Sequence, residues 1–212
     1  ALVPENRLEP FLRHLRDPEA FRRGHLVPSL SADSPGYNRD NGNMWRGGVW
    51  PPLNFAVLKG LRMVDQHALA YQIAHNHLGR VATVYQNSGT FWDHYAPETA
   101  WPGAHARRDF TGWTALTPIA ILLEDVLGIM TDWPQRRVMW DMRLPLPTEE
   151  KHKGAFVGVE NYPLGPDETI DLLTNGRVLV VTTAVPFTIT LRMPEVTLQK
   201  AIAVGTTEIA LD

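Results

Sequence analysis

Three carboxylates and six aromatic residues stand close together in one stretch of the chain, between residues 89 and 113. The acids are Asp93, Glu98 and Asp109, and the rings belong to Phe91, Trp92, Tyr95, Trp101, Phe110 and Trp113. Aromatic rings stack on the apolar faces of a sugar, and carboxylates bind its hydroxyls or transfer protons. The stretch therefore indicates a carbohydrate site. Its composition equally fits a partly buried loop whose rings fill the core and whose acids cap the next helix.

A second candidate loop covers residues 37–54. It contains two tryptophans, an arginine and paired glycines: Trp45, Arg46, Gly47, Gly48 and Trp50. Adjacent glycines let a backbone turn tightly or approach a ligand closely, and proline suits the first position of a helix. We expect a loop that leads into a helix near Pro51 and binds a sugar. The alternative is that both tryptophans are core residues and that Arg46 pairs with a structural acid.

Length and composition restrict the class of protein. A chain of 212 residues with 44% hydrophobic and 20% charged residues is globular and forms one large or two small domains. The net charge of −3 gives no electrostatic argument for nucleic acid or for an anionic membrane. No run approaches the roughly 18 apolar residues of a membrane-spanning helix. We therefore expect a small carbohydrate as the partner, with no nucleic acid and no membrane.

The sequence indicates no cofactor and no metal. There is no cysteine for a disulfide or a thiolate site, and no glycine-rich phosphate loop follows a strand. Asn38, Asp40 and Asn41 offer oxygens for Ca²⁺, but their spacing is not that of an EF-hand. The absence of cysteine fits a reducing compartment, so we expect a cytoplasmic location, although a cysteine-free protein can also be exported. The start at Ala1, without Met or a leader, suggests a removed segment or a longer parent chain.

Apolar periodicity predicts four helices. Their expected bounds are 4–16, 52–64, 67–86 and 111–128, and the last is apolar on nearly all sides, which predicts burial on several faces. Beyond residue 132 the pattern becomes strand-like, with runs at 178–183, 187–191, 196–202 and 208–211. Asn175-Gly176 predicts a hairpin. We therefore expect a helical domain over residues 1–132 and a small antiparallel β domain over 133–212. The helices are too few to bury the fourth, so we expect the missing ones upstream or in another chain.

Three motifs carry a resemblance to a known family. Met-Trp-Arg-Gly-Gly-Val-Trp-Pro-Pro-Leu-Asn (44–54) resembles the Trp-Arg-Gly-Pro-Val-Trp-Pro-Pro-x-Asn signature of glycoside hydrolase family 63. It looks most like the bacterial branch with mannosylglycerate and glucosylglycerate hydrolases. Gly-Thr-Phe-Trp-Asp-His-Tyr-Ala-Pro-Glu (89–98) is similar to the family's Gly-Thr-x-Trp-Glu-x-Tyr-x-Pro-Glu, and residues 109–120 are similar to its closing Gly-Trp helix.

The resemblance implies a fold and a mechanism. The fold would be mainly α, with part of an (α/α)6 barrel before a small antiparallel β-sandwich. The activity would be inverting hydrolysis, and Asp93 occupies the position of the family's base, a glutamate. Aspartate is shorter by about 1.5 Å, so Asp93 is the expected base or its relic. Gly48 replaces the usual proline, which would loosen that loop, and the general acid is expected upstream of Ala1.

The resemblance also assigns a set of substrate-binding residues: Trp45, Arg46, Gly47, Trp50, Trp92, Tyr95 and Glu98. A bond to a neighbouring loop is the alternative for Glu98, and we expect Asp109 to cap the next helix and Trp113 to be a core residue. We expect the two candidate loops to meet, with Asp93 turned inward. The implied function is an inverting α-glycosidase for a small glucosyl or mannosyl conjugate. The alternatives are a non-catalytic carbohydrate-binding relative and an inactive fragment of a larger glycosidase.

Overall fold

The computed structural model describes residues 3–110, 112–146 and 154–211. The chain divides into two compact units, Ala1–Asp125 and Val126–Asp212. The sequence-based division after Asp132 falls inside the second unit. No helix among the described residues has the length and apolar character needed to cross a membrane.

In the part of the first unit that the structure describes there are four α-helices: α1 (Glu5–Arg16), α2 (Pro51–Met63), α3 (His67–Ser88) and α4 (Trp113–Ile121). Helix α2 begins with two prolines, whose fixed φ suits a first turn. Helix α3 ends at Gly89, which adopts a left-handed φ of 73° and donates its N–H to Tyr85 O. Helix α2 contacts both α3 and α4, so these three helices form the support on which the loops of this unit rest.

Helix α4 exposes apolar side chains instead of burying them on several sides. Trp113, Leu116, Ile119 and Leu122 are each more than two-fifths exposed, and they recur every third residue along α4 and the π-helical turn Leu122–Val126. The expectation that Trp113 is a core residue is therefore wrong. An apolar sequence pattern predicts which residues can be buried, but the neighbours that bury them are a tertiary property.

The described residues of the second unit form eight strands: β1 (Ile129–Asp132), β2 (Arg137–Asp141), β3 (Val157–Gly165), β4 (Glu168–Thr174), β5 (Val178–Thr183), β6 (Phe187–Arg192), β7 (Thr197–Ile202) and β8 (Gly205–Ala210). They form two four-stranded sheets, in the orders β1-β2-β6-β7 and β3-β4-β5-β8. Burial alternates along β5 and β6, as expected where one face of a sheet is covered. The Asn175-Gly176 hairpin is confirmed: Gly176 has φ 84° and β4 pairs antiparallel with β5.

The predicted fold class is wrong. The described residues hold four α-helices and two four-stranded sheets, and the helices do not form a toroidal (α/α)6 barrel. Gly, Pro and Ser residues keep most of 17–50 and 89–112 out of helix, so long loops stand where a barrel needs short connections between paired helices. The β unit is not purely antiparallel either, because β2 and β6 pair in parallel. That pairing joins strands distant in sequence, which no local pattern reveals.

Candidate active site

The two candidate loops are joined through their backbones, as predicted. We call residues 37–50 the Trp45 loop and residues 89–110 the Asp93 loop. Val49 N donates to Tyr95 O over 2.8 Å, and Tyr95 N donates to Val49 O over 3.0 Å. Ala104 N donates to Asn41 O over 3.0 Å and adds a second link. Val49 and Tyr95 are fully buried against Val81 and Val84 of α3, so the helix fixes both loops at this point.

Three aromatic rings form a stack that connects the loops. The ring centroids of Trp45 and Trp50 lie 4.3 Å apart with planes 8° apart, and those of Trp50 and His94 lie 4.5 Å apart with planes 13° apart. The outer ring, Trp45, is 55% exposed, whereas Trp50 is 7% exposed and His94 is completely buried. An exposed tryptophan face held flat from behind is suited to stacking on a pyranose.

Glycines create the space that the inner ring occupies. A Cβ at Gly103 would lie 2.2 Å from His94 Cδ2, and one at Gly48 would lie 2.9 Å from the same atom. Gly48 N also donates to Met44 O over 3.0 Å, and a Cβ there would stand 2.3 Å from that oxygen. A proline at position 48 would lose this hydrogen bond and clash. Gly48 therefore allows the loop to fold back tightly on Met44, and the expectation that this glycine loosens the loop is wrong.

Asp93 lies at the inner end of the stack and is turned inward, with its side chain 11% exposed. Its Oδ1 accepts a hydrogen bond from Arg107 N over 2.9 Å and lies 2.8 Å from His94 Nδ1. Within the described residues no hydrogen bond reaches Oδ2. One carboxylate oxygen is thus anchored, and the other is left without a bond of this kind.

Glu98 is held by residues of two other segments. Its Oε1 accepts hydrogen bonds from Arg23 Nε over 2.7 Å and from Tyr37 Oη over 2.9 Å. Burial by itself would raise the pKa of Glu98, but the bonds from Arg23 and Tyr37 outweigh burial and lower it. A carboxyl group that stays ionised is a poor proton donor. The structure therefore gives Glu98 a role in holding the loops, which is the alternative noted for it in the sequence.

The remaining predicted substrate-binding residues differ in accessibility. Arg46 is exposed and its Nε donates to Gly36 O over 2.9 Å. Gly47 is buried with φ 124°, and a Cβ there would meet the Tyr37 ring at 2.7 Å. Trp92 is half-buried and its Nε1 donates to Ser88 Oγ over 3.0 Å. Tyr95 is 0% exposed, so its ring is unavailable to a ligand; burial raises the pKa of Tyr95 to about 12.

Asp109 does not cap the next helix, contrary to expectation. Helix α4 begins after Gly112 without a side-chain cap, whereas Asp109 Oδ1 accepts a hydrogen bond from Thr90 Oγ1 over 2.6 Å. Asp109 has a left-handed φ of 57° and an exposed side chain. Its bond to Thr90 closes the two ends of the Asp93 loop on each other.

Sequence reasoning missed several residues that shape the site: His94, Arg23 and Tyr37, together with a buried pair, His25 and His77. His25 Nε2 lies 2.8 Å from His77 Nδ1, and His25 N donates to Pro97 O over 2.7 Å. The sequence holds only one signal for them, since His94 directly follows the candidate base. Among the described residues, no group of three His, Cys, Asp or Glu side chains is arranged to hold a metal.

Comparison with known proteins identifies the family. The model of the Mannosylglycerate hydrolase MGH1-like glycoside hydrolase domain matches residues 1–114. The chain belongs to this glycoside hydrolase family, and the resemblance to family 63 is thereby confirmed. The matched residues include both candidate loops up to the start of α4.

Individual relatives are more distant. An uncharacterized protein of Borreliella burgdorferi is 24% identical over 82% of this chain and 37% of its own length. A probable mannosyl-oligosaccharide glucosidase of Schizosaccharomyces pombe is 28% identical over 52% of this chain and 14% of its own length. The mannosyl-oligosaccharide glucosidase of Saccharomyces cerevisiae is 27% identical, with 54% and 15% covered. The chain therefore spans between 14% and 37% of the length of these relatives.

A solved structure is also similar in part. The crystal structure of an uncharacterized conserved protein from Thermus thermophilus has 25% sequence identity and a TM-score of 0.42, over 56% of this chain and 27% of that chain.

Proposed function

We propose that this chain carries the general-base part of the active site of an inverting α-glycosidase. The observation that carries the proposal is the state of Asp93: it stands at the base position of the family motif, is turned inward, and has one oxygen anchored and one free. The exposed ring of Trp45 stands at the other end of the same stack. A group stacked on that ring would be a neighbour of the sugar unit that is cleaved, because ring spacings of 4.3 and 4.5 Å separate Trp45 from the His94 ring beside Asp93.

The proposed reaction uses two carboxyl groups. Asp93 Oδ2 takes a proton from a water molecule, the water oxygen bonds to the anomeric carbon, and the glycosidic C–O bond breaks. The departing oxygen takes its proton from a second carboxylic acid. Glu98 does not suit that role because its pKa is lowered, and Asp109 is exposed and bonded to Thr90. No motif in this sequence matches that of the family's acid, so we place the acid in a part of the protein outside these residues or in another chain.

The proposed substrate is a small glucosyl or mannosyl conjugate. The family is named for mannosylglycerate hydrolase, and two relatives are named mannosyl-oligosaccharide glucosidases. The exposed Trp45 and the half-buried Trp92 offer apolar surface to the conjugate, and the exposed Arg46 offers polar contacts beside it.

The test is the configuration of the first product. The protein, together with the part or chain that supplies the acid, is incubated with a panel of α-glucosyl and α-mannosyl conjugates, and proton NMR follows the anomeric signals before mutarotation. We expect the β-anomer of the released sugar to appear first. Early α-anomer would contradict inversion, and the absence of cleavage across the panel would contradict the hydrolase assignment.

A non-catalytic carbohydrate-binding relative is the second candidate, and the shorter side chain at position 93 favours it. A displacement on the order of 1 Å can cost about a hundredfold in rate. For a binding protein, Asp93→Glu would leave activity absent while the sugar still binds in calorimetry. For a hydrolase with a misplaced base, Asp93→Glu would raise the rate, and for one that is adapted to aspartate it would lower the rate.

A further inference from the structure

His94 lies between two hydrogen-bond acceptors. Its Nδ1 is 2.8 Å from Asp93 Oδ1, and its Nε2 is 3.1 Å from Ala104 O. A backbone carbonyl only accepts hydrogen bonds, and so does an ionised carboxylate. A neutral imidazole has a single N–H and could serve only one of these two contacts. The other contact would bring two lone pairs together in a site where the ring is completely buried.

An imidazolium satisfies both contacts at once. Its Nδ1–H donates to Asp93 and its Nε2–H donates to Ala104 O, so no buried ring nitrogen is left without a partner. The positive charge is compensated by the carboxylate at 2.8 Å, which makes the bond charge-assisted. The indole of Trp50 and the backbone at Gly48 and Gly103, which also lie against the ring, carry no charge.

We propose that His94 is a positioning residue which, as an imidazolium, holds Asp93 Oδ1 and so directs Oδ2 to the reacting water. This inference rests on the proposed function in its catalytic part, because Asp93 must be the base. The ring cannot tilt, since Trp50 covers one face and the two glycines leave no spare room. Trp45 belongs to the same stack, so His94 also sets the distance between the exposed Trp45 ring and Asp93.

The protonation of the two His94 ring nitrogens can be tested without any substrate. The protein is labelled with ¹⁵N-histidine, and the ring nitrogens of His94 are assigned through the His94→Gln variant. At neutral pH we expect both nitrogens to have the chemical shifts of protonated nitrogens, and one to lose its proton in Asp93→Asn. A neutral tautomer of His94 in the wild-type protein would overturn the inference. This result does not depend on whether the protein is a hydrolase.

The positioning role is tested with two variants that carry the same amide group at different reach. Asparagine at position 94 can donate to Asp93 from the place of Nδ1, whereas glutamine donates from the place of Nε2 and loses the contact to Asp93. We expect His94→Asn to retain at least about a tenth of kcat and His94→Gln to lose about a hundredfold, with KM little changed in both. Equal losses in the two variants, with both folded by circular dichroism, would overturn the positioning role.

Discussion

Val49 and Tyr95 exchange two backbone hydrogen bonds, and this pair holds the Trp45 loop against the Asp93 loop. Because both residues are completely buried, the link is shielded from competing water. The exposed ring of Trp45 and the inward carboxylate of Asp93 are thus placed by the same element. A site made of two loops gains the precision that a catalytic group needs only when the loops are fixed in this way.

Gly103→Ala is expected to disturb the site by displacing the His94 ring. The new Cβ would lie 2.2 Å from His94 Cδ2, so the ring must shift away from Asp93 or the backbone must move. Overpacking of this kind costs about 1–3 kcal/mol, and we expect both a lower Tm and a lower kcat. Differential scanning calorimetry and turnover on the same sample measure the two effects.

Gly79→Ala is the matched control for that variant. Gly79 lies inside α3 and a Cβ there would meet nothing within 4 Å. Alanine is a better helix former than glycine by roughly 0.5–1 kcal/mol, so this variant should be slightly more stable and equally active. If Gly103→Ala behaved like Gly79→Ala, the tight packing around His94 would not exist in solution.

Glu98→Gln is expected to destabilise the protein in a pH-dependent way. The lowered pKa of Glu98 means that its ionised form stabilises the fold above the ordinary value of 4.5, and that this stability is lost as pH falls through the folded-state pKa. At pH 7 the variant should lose about 1.5–3 kcal/mol, the range for hydrogen bonds to a charged group. The difference in unfolding free energy between the two proteins should shrink as the pH falls below 4.5.

Glu9→Gln provides the comparison. Glu9 pairs with Arg16 at 3.4 Å, but its side chain is 71% exposed, and exposed pairs contribute about 0–1 kcal/mol. Chemical denaturation at pH 7 compares the two variants directly. A loss in Glu98→Gln no larger than that in Glu9→Gln would refute the anchoring role of Glu98.

The buried histidine pair predicts acid sensitivity. Burial lowers the pKa of His77 to about 3 from 6.5, and burial together with His77 and Arg80 lowers that of His25. Below pH 6.5 the unfolded chain therefore binds protons that the folded protein does not bind. The free energy of unfolding contributed by the neutral histidines is present above pH 6.5 and is lost as the pH falls toward 3. His77→Asn keeps an acceptor near His25 and should reduce this slope by up to about 1.4 kcal/mol per pH unit. If denaturation experiments at a series of pH values gave the same dependence of unfolding free energy on pH for His77→Asn and the wild-type protein, the prediction would be contradicted.

Local elements were largely predictable from the sequence, whereas their assembly was not. Helices α2 and α3 lie within two residues of their predicted bounds, and β5 has the bounds that were predicted for it, because apolar periodicity and turn residues act over short distances. The prediction of the fold class was wrong because the number of helices says little about how they are arranged. The parallel pairing of β2 with β6 and the exposed face of α4 depend on contacts between segments distant in sequence.

The site was predictable as a set of motifs, but its internal bonds were not. The motifs identified the two loops and the position of Asp93, whereas no sequence pattern showed that His94 would be enclosed by Gly48, Gly103 and Trp50. Tyr95 looked like a sugar-binding ring because aromatic side chains serve both the core and binding sites. Only burial distinguishes these two uses.

The turnover of Asp93→Asn tests the central claim most directly. Asparagine keeps an oxygen that can accept the hydrogen bond from Arg107 N, but it cannot take a proton from water. With the fold verified by circular dichroism, we expect kcat to fall by about 10²–10⁴-fold while the sugar still binds. Turnover at the wild-type rate would remove Asp93 from the reaction and contradict the account.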